Sequence, residues 1–149
     1  MSGQAVSSSS FVLAKGQSLS GRPKVLLADD HEMVLERVQS LLHDYEVIAT
    51  VHNGRDLVSA ALRLQPDVIV SDITMPFLNG IDAAHEIHQS GSTARFVFLT
   101  VHDQPAFLHA CFAEGAFGYV TKSHLGRDLI PAINEALSGR CFISPSIPR

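Results

Sequence analysis

Residues 24–30 read KVLLADD, an apolar run typical of a buried parallel strand that is followed at once by the carboxylates of Asp29 and Asp30. A second run, VIVS at residues 68–71, ends in the same way at Asp72. In an open α/β sheet the carboxyl ends of the strands face one crevice, so acids that are far apart in sequence are expected to converge there. Several carboxylates in one crevice need a cation to offset their mutual repulsion.

Two later strand ends carry residues that suit a phosphoryl group. Thr100 follows FVFL at residues 96–99, and Lys122 follows YVT at residues 119–121. A threonine hydroxyl can donate a hydrogen bond to a phosphoryl oxygen, and a lysine ammonium supplies a point charge. Together with the acids, these residues predict one site assembled from several strand ends.

Helical patterns alternate with the strands, and a short β-branched run at residues 46–49 supplies the second strand. The predicted helices follow Asp30-His31-Glu32, span Leu57–Leu64, run from about Gly80 to Gln89, run from Gln104-Pro105 through Ala113, and begin near Gly126 to Asp128. We place the last start there because Pro131 is tolerated only near the first turn of a helix. This (βα)₅ order predicts a doubly wound α/β fold, with a parallel five-stranded sheet between two layers of helices.

Composition limits the classes of protein that this chain can represent. The 149 residues are 46% hydrophobic, which is enough for one domain with an ordinary core. The net charge of -4 provides no basic surface for a phosphate backbone, so this segment alone is a poor partner for nucleic acid. Cys111 and Cys141 form neither a dense framework nor a CxxC pair, which predicts reduced thiols in a cytoplasmic protein.

The two ends of the sequence differ from the region between them. Residues 1–23 contain SSSS and no sustained periodicity, so we expect a flexible tail or a vector-derived leader, with no signal peptide and no membrane span. The predicted domain occupies residues 24–139. Residues 140–149 follow a helix-stopping glycine and end in serine and proline, so we expect them to begin a linker to an output domain outside this sequence.

The order of these motifs resembles the receiver domain of bacterial two-component response regulators. The resemblance covers roughly residues 24–139, and the motifs that carry it are Asp29-Asp30, DITMPFLNG at residues 72–80, Thr100, and GYVTK at residues 118–122. It implies a flavodoxin-like fold with the strand order 2-1-3-4-5. Residues 25–31 and 139–145 are similar to the subgroup whose receivers precede a LuxR-type helix-turn-helix domain.

The resemblance implies a phosphoacceptor and a metal site. Asp72 is the implied nucleophile, which forms an aspartyl phosphate with a sensor histidine kinase as the donor. Asp30, Asp72 and the backbone carbonyl of Thr74 are implied to coordinate Mg²⁺, and Asp29 is implied to act mostly through a bound water. Such a chain is a signalling domain that promotes its own phosphorylation and dephosphorylation, and it is not an enzyme with a separate substrate.

The resemblance also implies how the phosphoryl group is held and how its presence is transmitted. Lys122 and Thr100 bind the phosphoryl oxygens, and Thr100 acts with Tyr119 as a switch. The switch alters the face formed by the fourth helix, the fifth strand and the fifth helix, through which a homodimer can form. Thr74 and His102 flank the phosphoryl group and tune its lifetime.

Two other classes of function compete with this interpretation. A phosphatase of the haloacid dehalogenase type needs Asp or Thr two positions after its nucleophile on the first strand. Here His31 follows Asp29 at that spacing and Glu32 follows Asp30, which argues against a hydrolase. The second alternative is a receiver that acts as a binding or dimerisation module without phosphorylation.

Two further details bear on the chemistry. His85 and His88 stand three residues apart on a predicted helix, but no third ligand is evident, so zinc is disfavoured. Ser123 follows Lys122, where many receivers have a proline after a cis peptide bond. Because a cis bond without proline costs about 2.5–4 kcal/mol, the cis form of those receivers is not carried over to this bond.

Overall fold

The computed structural model describes residues 21–101 and 105–147. Six strands are present in these residues, namely β1 (Lys24–Ala28), β2 (Glu46–Val51), β3 (Val68–Asp72), β4 (Arg95–Thr100), β5 (Gly118–Thr121) and β6 (Phe142–Ile143). The helices between them are α1 (Glu32–Leu41), α2 (Gly54–Leu64), α3 (Gly80–Gln89), α4 (Pro105–Ala113) and α5 (Leu125–Leu137). One turn of 3-10 helix at Lys122–His124 joins β5 to α5.

The described strands form one parallel sheet in the order β2-β1-β3-β4-β5-β6. This topology confirms the predicted α/β fold and the order 2-1-3-4-5, to which the structure adds β6 beside β5. β1 and β3 are neighbours, and Ala28 lies opposite Ser71 in their register. The residues that follow Ala28 and Ser71 therefore leave the sheet side by side.

Successive residues of a strand face opposite sides of the sheet, so the core has two parts. Leu26 and Ile69 pack with α2, α3 and α4 on one side of the sheet. Leu27 and Val70 pack with α1 and α5 on the other side. β3 is buried along its whole length, as its continuous apolar run predicts. The three layers hold the ends of the central strands in fixed positions.

A close backbone contact fixes the segment that follows β3. A Cβ atom added to Gly80 would lie 2.2 Å from the carbonyl oxygen of Asp72. The N–H of Gly80 donates to the carbonyl of Ile73 over 2.7 Å, and Asn79 caps α3 by accepting from the N–H of Asp82 over 2.8 Å. Glycine therefore allows α3 to begin directly against the strand that carries Asp72.

The start of α5 differs from its prediction. The helix begins at Leu125, earlier than residues 126–128, and Pro131 lies in its second turn instead of near its first. The 3-10 turn at Lys122–His124 leads directly into α5, and Pro131 lies on the exposed side of this helix. The described residues contain no cis peptide bond, so the bond between Lys122 and Ser123 is trans.

The segment after α5 packs on the domain. β6 lies beside β5, and the N–H of Phe142 donates to the carbonyl of Phe117 over 2.8 Å. Ile147 is buried in the same part of the core as Tyr119. The structure therefore places residues 142–147 on the domain, and a linker that starts within residues 140–149 stays a prediction.

β1 starts at Lys24, the residue at which the sequence predicts that the domain begins. Most of the predicted tail, residues 1–20, lies outside the described residues. In the part of the chain that the structure describes, the longest helix is α5 with 13 residues, and no helix there is long and apolar enough to cross a bilayer.

Candidate functional site

Carboxylates from the ends of β1 and β3 meet at one end of the sheet. Asp29 is 1% exposed and Asp72 is 6% exposed, whereas Asp30 faces solvent. One ligand atom from each of these acids and one from His31 all lie within 4.8 Å of one another. The structure thus brings together the three acids that the sequence assigned to one crevice, and it adds a histidine.

The ammonium of Lys122 lies against this cluster. Its Nζ is 2.7 Å from Oδ2 of Asp29 and 3.2 Å from Oδ2 of Asp72, and the lysine side chain is 11% exposed. Oδ2 of Asp29 is buried, so its ion pair with Lys122 lies away from solvent. One ammonium is therefore the main compensation for two buried carboxylates.

His31 packs against the first two acids. The other oxygen of Asp29, Oδ1, accepts from the backbone N–H of His31 over 2.9 Å and from its Nδ1 over 3.1 Å. Nδ1 also lies 3.2 Å from Oδ1 of Asp30, and the imidazole is 65% exposed. The sequence alone predicts no role for His31, although its position directly after an acidic pair is a signal that could have pointed to one.

The pKa of Asp72 is raised above its usual value of 3.8. Burial is the largest cause, and the nearby negative charge of Asp29 adds to it. Lys122 and the N–H of Ile73, which donates to Oδ1 of Asp72 over 2.8 Å, act in the opposite direction. The pocket is therefore short of positive charge, and its buried oxygen donors fit a hard divalent cation.

Thr100 and Tyr119 lie on neighbouring strands and are both buried. Phe98 pairs with Tyr119 and Thr100 pairs with Thr121 in the parallel register, so Thr100 and Tyr119 project from the same face of the sheet. Tyr119 packs in the part of the core that also holds Phe98 and residues of α4. The hydroxyl of Thr100 and the ring of Tyr119 thus lie on the same face of the neighbouring strands β4 and β5.

The remaining predicted site residues lie around the rim of the pocket or outside the description. Thr74 is exposed in the connection after β3. His102 lies outside the described residues. Their tuning roles stay predictions.

The histidines considered for zinc have separate partners. Nδ1 of His85 lies 3.0 Å from Oε1 of Glu114, and Nε2 of His88 lies 3.1 Å from the carbonyl oxygen of Ala94. Within residues 21–101 and 105–147, the one group of side chains that could hold a metal is the acidic cluster described above. The structure therefore provides no support for zinc at these histidines.

Comparison with known proteins identifies the class to which this fold and site belong. The chain matches the response regulator receiver domain family over residues 25–134. It belongs to that family, whose members are signalling domains. This finding confirms the resemblance seen in the sequence.

Individual relatives agree with this assignment. The chain is 32% identical over 127 residues to the uncharacterized transcriptional regulatory protein YvfU of Bacillus subtilis (strain 168) and to the response regulator GacA of Pseudomonas aeruginosa. Both matches cover 83% of this chain, but 64% of YvfU and 59% of GacA, so the chain spans less than two thirds of either relative. It is also similar to the crystal structure of a LuxR-family two-component response regulator from Aurantimonas sp. SI85-9A1. That similarity has a TM-score of 0.80 at 35% identity and covers 85% of this chain and 92% of the other.

Proposed function

We propose that this chain is a phosphorylation-dependent signalling switch in which Asp72 accepts a phosphoryl group from a sensor histidine kinase. The observation that carries this proposal is the shared ammonium of Lys122, which contacts both Asp29 and Asp72 at the strand ends. A carboxylate beside a cation can attack a phosphoryl group while the cation offsets the negative charge of both reactants. Membership in the receiver family supports the same chemistry.

Phosphoryl transfer to Asp72 depends mainly on position and charge. An oxygen of Asp72 forms a bond to phosphorus as the bond from phosphorus to the donor breaks, and the bonding electron pair leaves with the donor's nitrogen or oxygen. Lys122, 3.2 Å from Oδ2 of Asp72, favours the ionised form of this carboxyl and then binds the new phosphoryl oxygens together with Thr100.

The acidic cluster supplies the ligands for Mg²⁺ in this proposal. Asp30, Asp72 and the carbonyl of Thr74 would bind it directly, and Asp29 would bind mostly through water. When bound, Mg²⁺ neutralises the cluster and polarises the phosphoryl oxygens. One ammonium, that of Lys122, contacts two of the three carboxylates, and the remaining excess of negative charge supports a role for such a cation.

The output is a change of the α4–β5–α5 face. A phosphoryl group gives Thr100 a new hydrogen-bond partner, and movement of Thr100 leaves space on the face from which the Tyr119 ring projects. Such coupling is typically about 1–3 kcal/mol, which is enough to shift a population several-fold. Because β6 already pairs with β5, a second copy that docks on this face would contact α4 and α5 instead of a free strand edge.

The wider role is the control of transcription in the cytoplasm. The relatives named above include a transcriptional regulatory protein and a response regulator, and the similar crystal structure is of a LuxR-family protein. We assign DNA contact to an output domain outside these 149 residues, since the net charge of -4 does not favour DNA binding by this segment. Thr74 and His102 are assigned to tuning the lifetime of the phosphoryl group.

Intact-mass analysis after exposure to acetyl phosphate and Mg²⁺ tests the proposal. We expect one phosphoryl adduct on the wild type, no adduct on Asp72→Asn, and an unchanged adduct on the control Asp44→Asn, which removes an exposed acid. No adduct on the folded wild type would contradict the proposal and favour a binding module that acts without phosphorylation. Continuous release of phosphate from simple phosphate esters would favour a hydrolase instead.

A further inference from the structure

His31 stands among oxygen donors in a position that the phosphoacceptor chemistry does not use. Its Nδ1 lies 3.1 Å from Oδ1 of Asp29 and 3.2 Å from Oδ1 of Asp30. One carboxylate oxygen from each of the three acids, Asp29, Asp30 and Asp72, and one ring nitrogen of His31 lie within 4.8 Å of one another. The cluster thus contains one imidazole nitrogen beside three carboxylates.

The spacing is that of neighbouring ligands on one metal ion. With bonds of about 2.1 Å, adjacent ligands of an octahedral ion lie about 3 Å apart. The pocket also carries excess negative charge, because the one ammonium of Lys122 contacts both Asp29 and Asp72 while Asp30 adds a third carboxylate. His31 is 65% exposed, so its ring can turn towards an ion without any change in the core.

We propose that His31 is a metal ligand and that it makes this pocket favour divalent transition metals such as Co²⁺ over Mg²⁺. The proposal rests on the proposed function of the acidic cluster as a cation site. Imidazole nitrogen is a good ligand for transition metals, whereas Mg²⁺ prefers oxygen, so one histidine changes the relative affinity of the site for the two kinds of ion.

Metal coordination by His31 changes the hydrogen bonding of its ring, but Asp29 keeps its hydrogen bond from the backbone of His31. Nδ1 must give up its contact with Oδ1 of Asp29 and carry its proton on Nε2, as a neutral ligating imidazole does. Oδ1 keeps the backbone N–H of His31 at 2.9 Å. If His31 only orders the acids through its Nδ1 hydrogen bond, its loss will affect both metals equally.

Calorimetric titration of the whole chain with Mg²⁺ and with Co²⁺ tests the proposal, with the visible spectrum of bound Co²⁺ as a second measurement. We expect His31→Ala to weaken Co²⁺ by at least about tenfold, to change Mg²⁺ by less than about twofold, and to alter the Co²⁺ spectrum. The matched control is His43→Ala, which removes another exposed histidine that lies near a single acid, Asp44.

Three results would overturn the inference. Equal weakening of both metals would make His31 a positioning residue, and unchanged Co²⁺ binding would leave it without a role in the site. In either case Mg²⁺ binding by the wild type, and its loss in Asp72→Asn, would leave the proposed function intact. Failure of the folded wild type to bind either metal would instead contradict both the inference and the proposed cation site.

Discussion

Asp72 and Asp128 are both buried aspartates, yet the protein shifts their pKa values in opposite directions. Burial raises the pKa of Asp72, and the charge of Asp29 raises it further. Asp128 is 2% exposed, but hydrogen bonds from Arg127 at 2.7 and 3.0 Å and from the hydroxyl of Ser144 at 2.7 Å lower its pKa. At Asp72 burial and the charge of Asp29 outweigh the contacts with Lys122 and the N–H of Ile73, whereas at Asp128 the hydrogen bonds outweigh burial.

The two sites therefore use negative charge differently. The hydroxyl oxygen of Ser144 also accepts from the N–H of Thr121 over 3.0 Å, so Asp128 joins α5, β6 and the end of β5 through one hydrogen-bonded chain. Its charge is satisfied and stabilises the fold. Asp72 instead keeps a raised pKa at the carboxyl end of the central strand β3, which fits its proposed role as the group that meets a cation and a phosphoryl group.

Removing the hydrogen-bonded carboxylate of Asp128 should have the largest effect on stability. We expect Asp128→Ala to lower the free energy of unfolding at neutral pH by about 1.5–3 kcal/mol, the usual value of a hydrogen bond to a charged group. Urea denaturation measures the change, with Asp44→Ala as the control for loss of one exposed acid. Because the pKa of Asp128 is lowered, its stabilising effect should persist at about pH 4 and disappear only in more acidic solution.

Ser144 is the test of whether Asp128 acts through β6. We expect Ser144→Ala to cost about 1–2 kcal/mol, because it removes a donor to Asp128 and an acceptor for the N–H of Thr121. A double-mutant cycle with Asp128→Ala should show that the two changes are not additive. Additive effects would mean that the buried acid stabilises α5 alone.

Bound Mg²⁺ should stabilise the protein through Asp72 and not through Asp128. At a Mg²⁺ concentration ten times the dissociation constant, we expect a gain of about 1.4 kcal/mol in the wild type. Chelation with EDTA should reverse the gain, and Asp72→Asn should abolish it, whereas Ser144→Ala should retain it. Thermal unfolding with and without Mg²⁺ measures these differences, and an equal gain in Asp72→Asn would place the ion elsewhere.

Replacing the carboxylate of Asp72 with a neutral amide should raise the stability of the protein slightly. In metal-free buffer at pH 7 we expect Asp72→Asn to increase the free energy of unfolding by on the order of 1 kcal/mol, a size typical of point substitutions. The pKa of Asp72 is raised, so the folded protein binds this proton more tightly than the unfolded chain does. The advantage of the amide should therefore shrink as the pH falls through the pKa of Asp72 towards 3.8. An advantage that grows in acid would have the wrong sign.

The sequence was a good guide to the fold where strands carry continuous apolar runs. Residues 24–28 and 68–72 were assigned correctly, and their register explains why the acids that follow them meet. β6 is not predicted, because a strand of two residues, Phe142–Ile143, is too short to show periodicity. It has strand geometry because it pairs with β5. The predicted start of α5 is wrong because it rests only on the preference of proline for the first turn of a helix. The 3-10 turn before α5 is not visible in that local preference.

In the site, too, the positions of residues at strand ends can be predicted from the sequence, whereas the contacts that form on folding cannot. Asp29, Asp30, Asp72 and Lys122 could be proposed because each follows a recognisable strand. The opposite pKa shifts could not be predicted, since the pKa of Asp72 depends on burial and on Asp29, and the pKa of Asp128 depends on the orientation of the neighbouring Arg127 side chain and on Ser144. Ser144 reaches Asp128 from 16 residues away, and the ammonium of Lys122 meets Asp29 only after folding.

The most direct test of the account is to locate the phosphoryl group chemically. After exposure to acetyl phosphate and Mg²⁺, hydride reduction converts an aspartyl phosphate into a stable homoserine that peptide mass spectrometry can assign to a position. We expect this label at Asp72 and none at Asp128, although both acids are buried. A label at Asp128 or at another acid, with Asp72 unmodified, would contradict it.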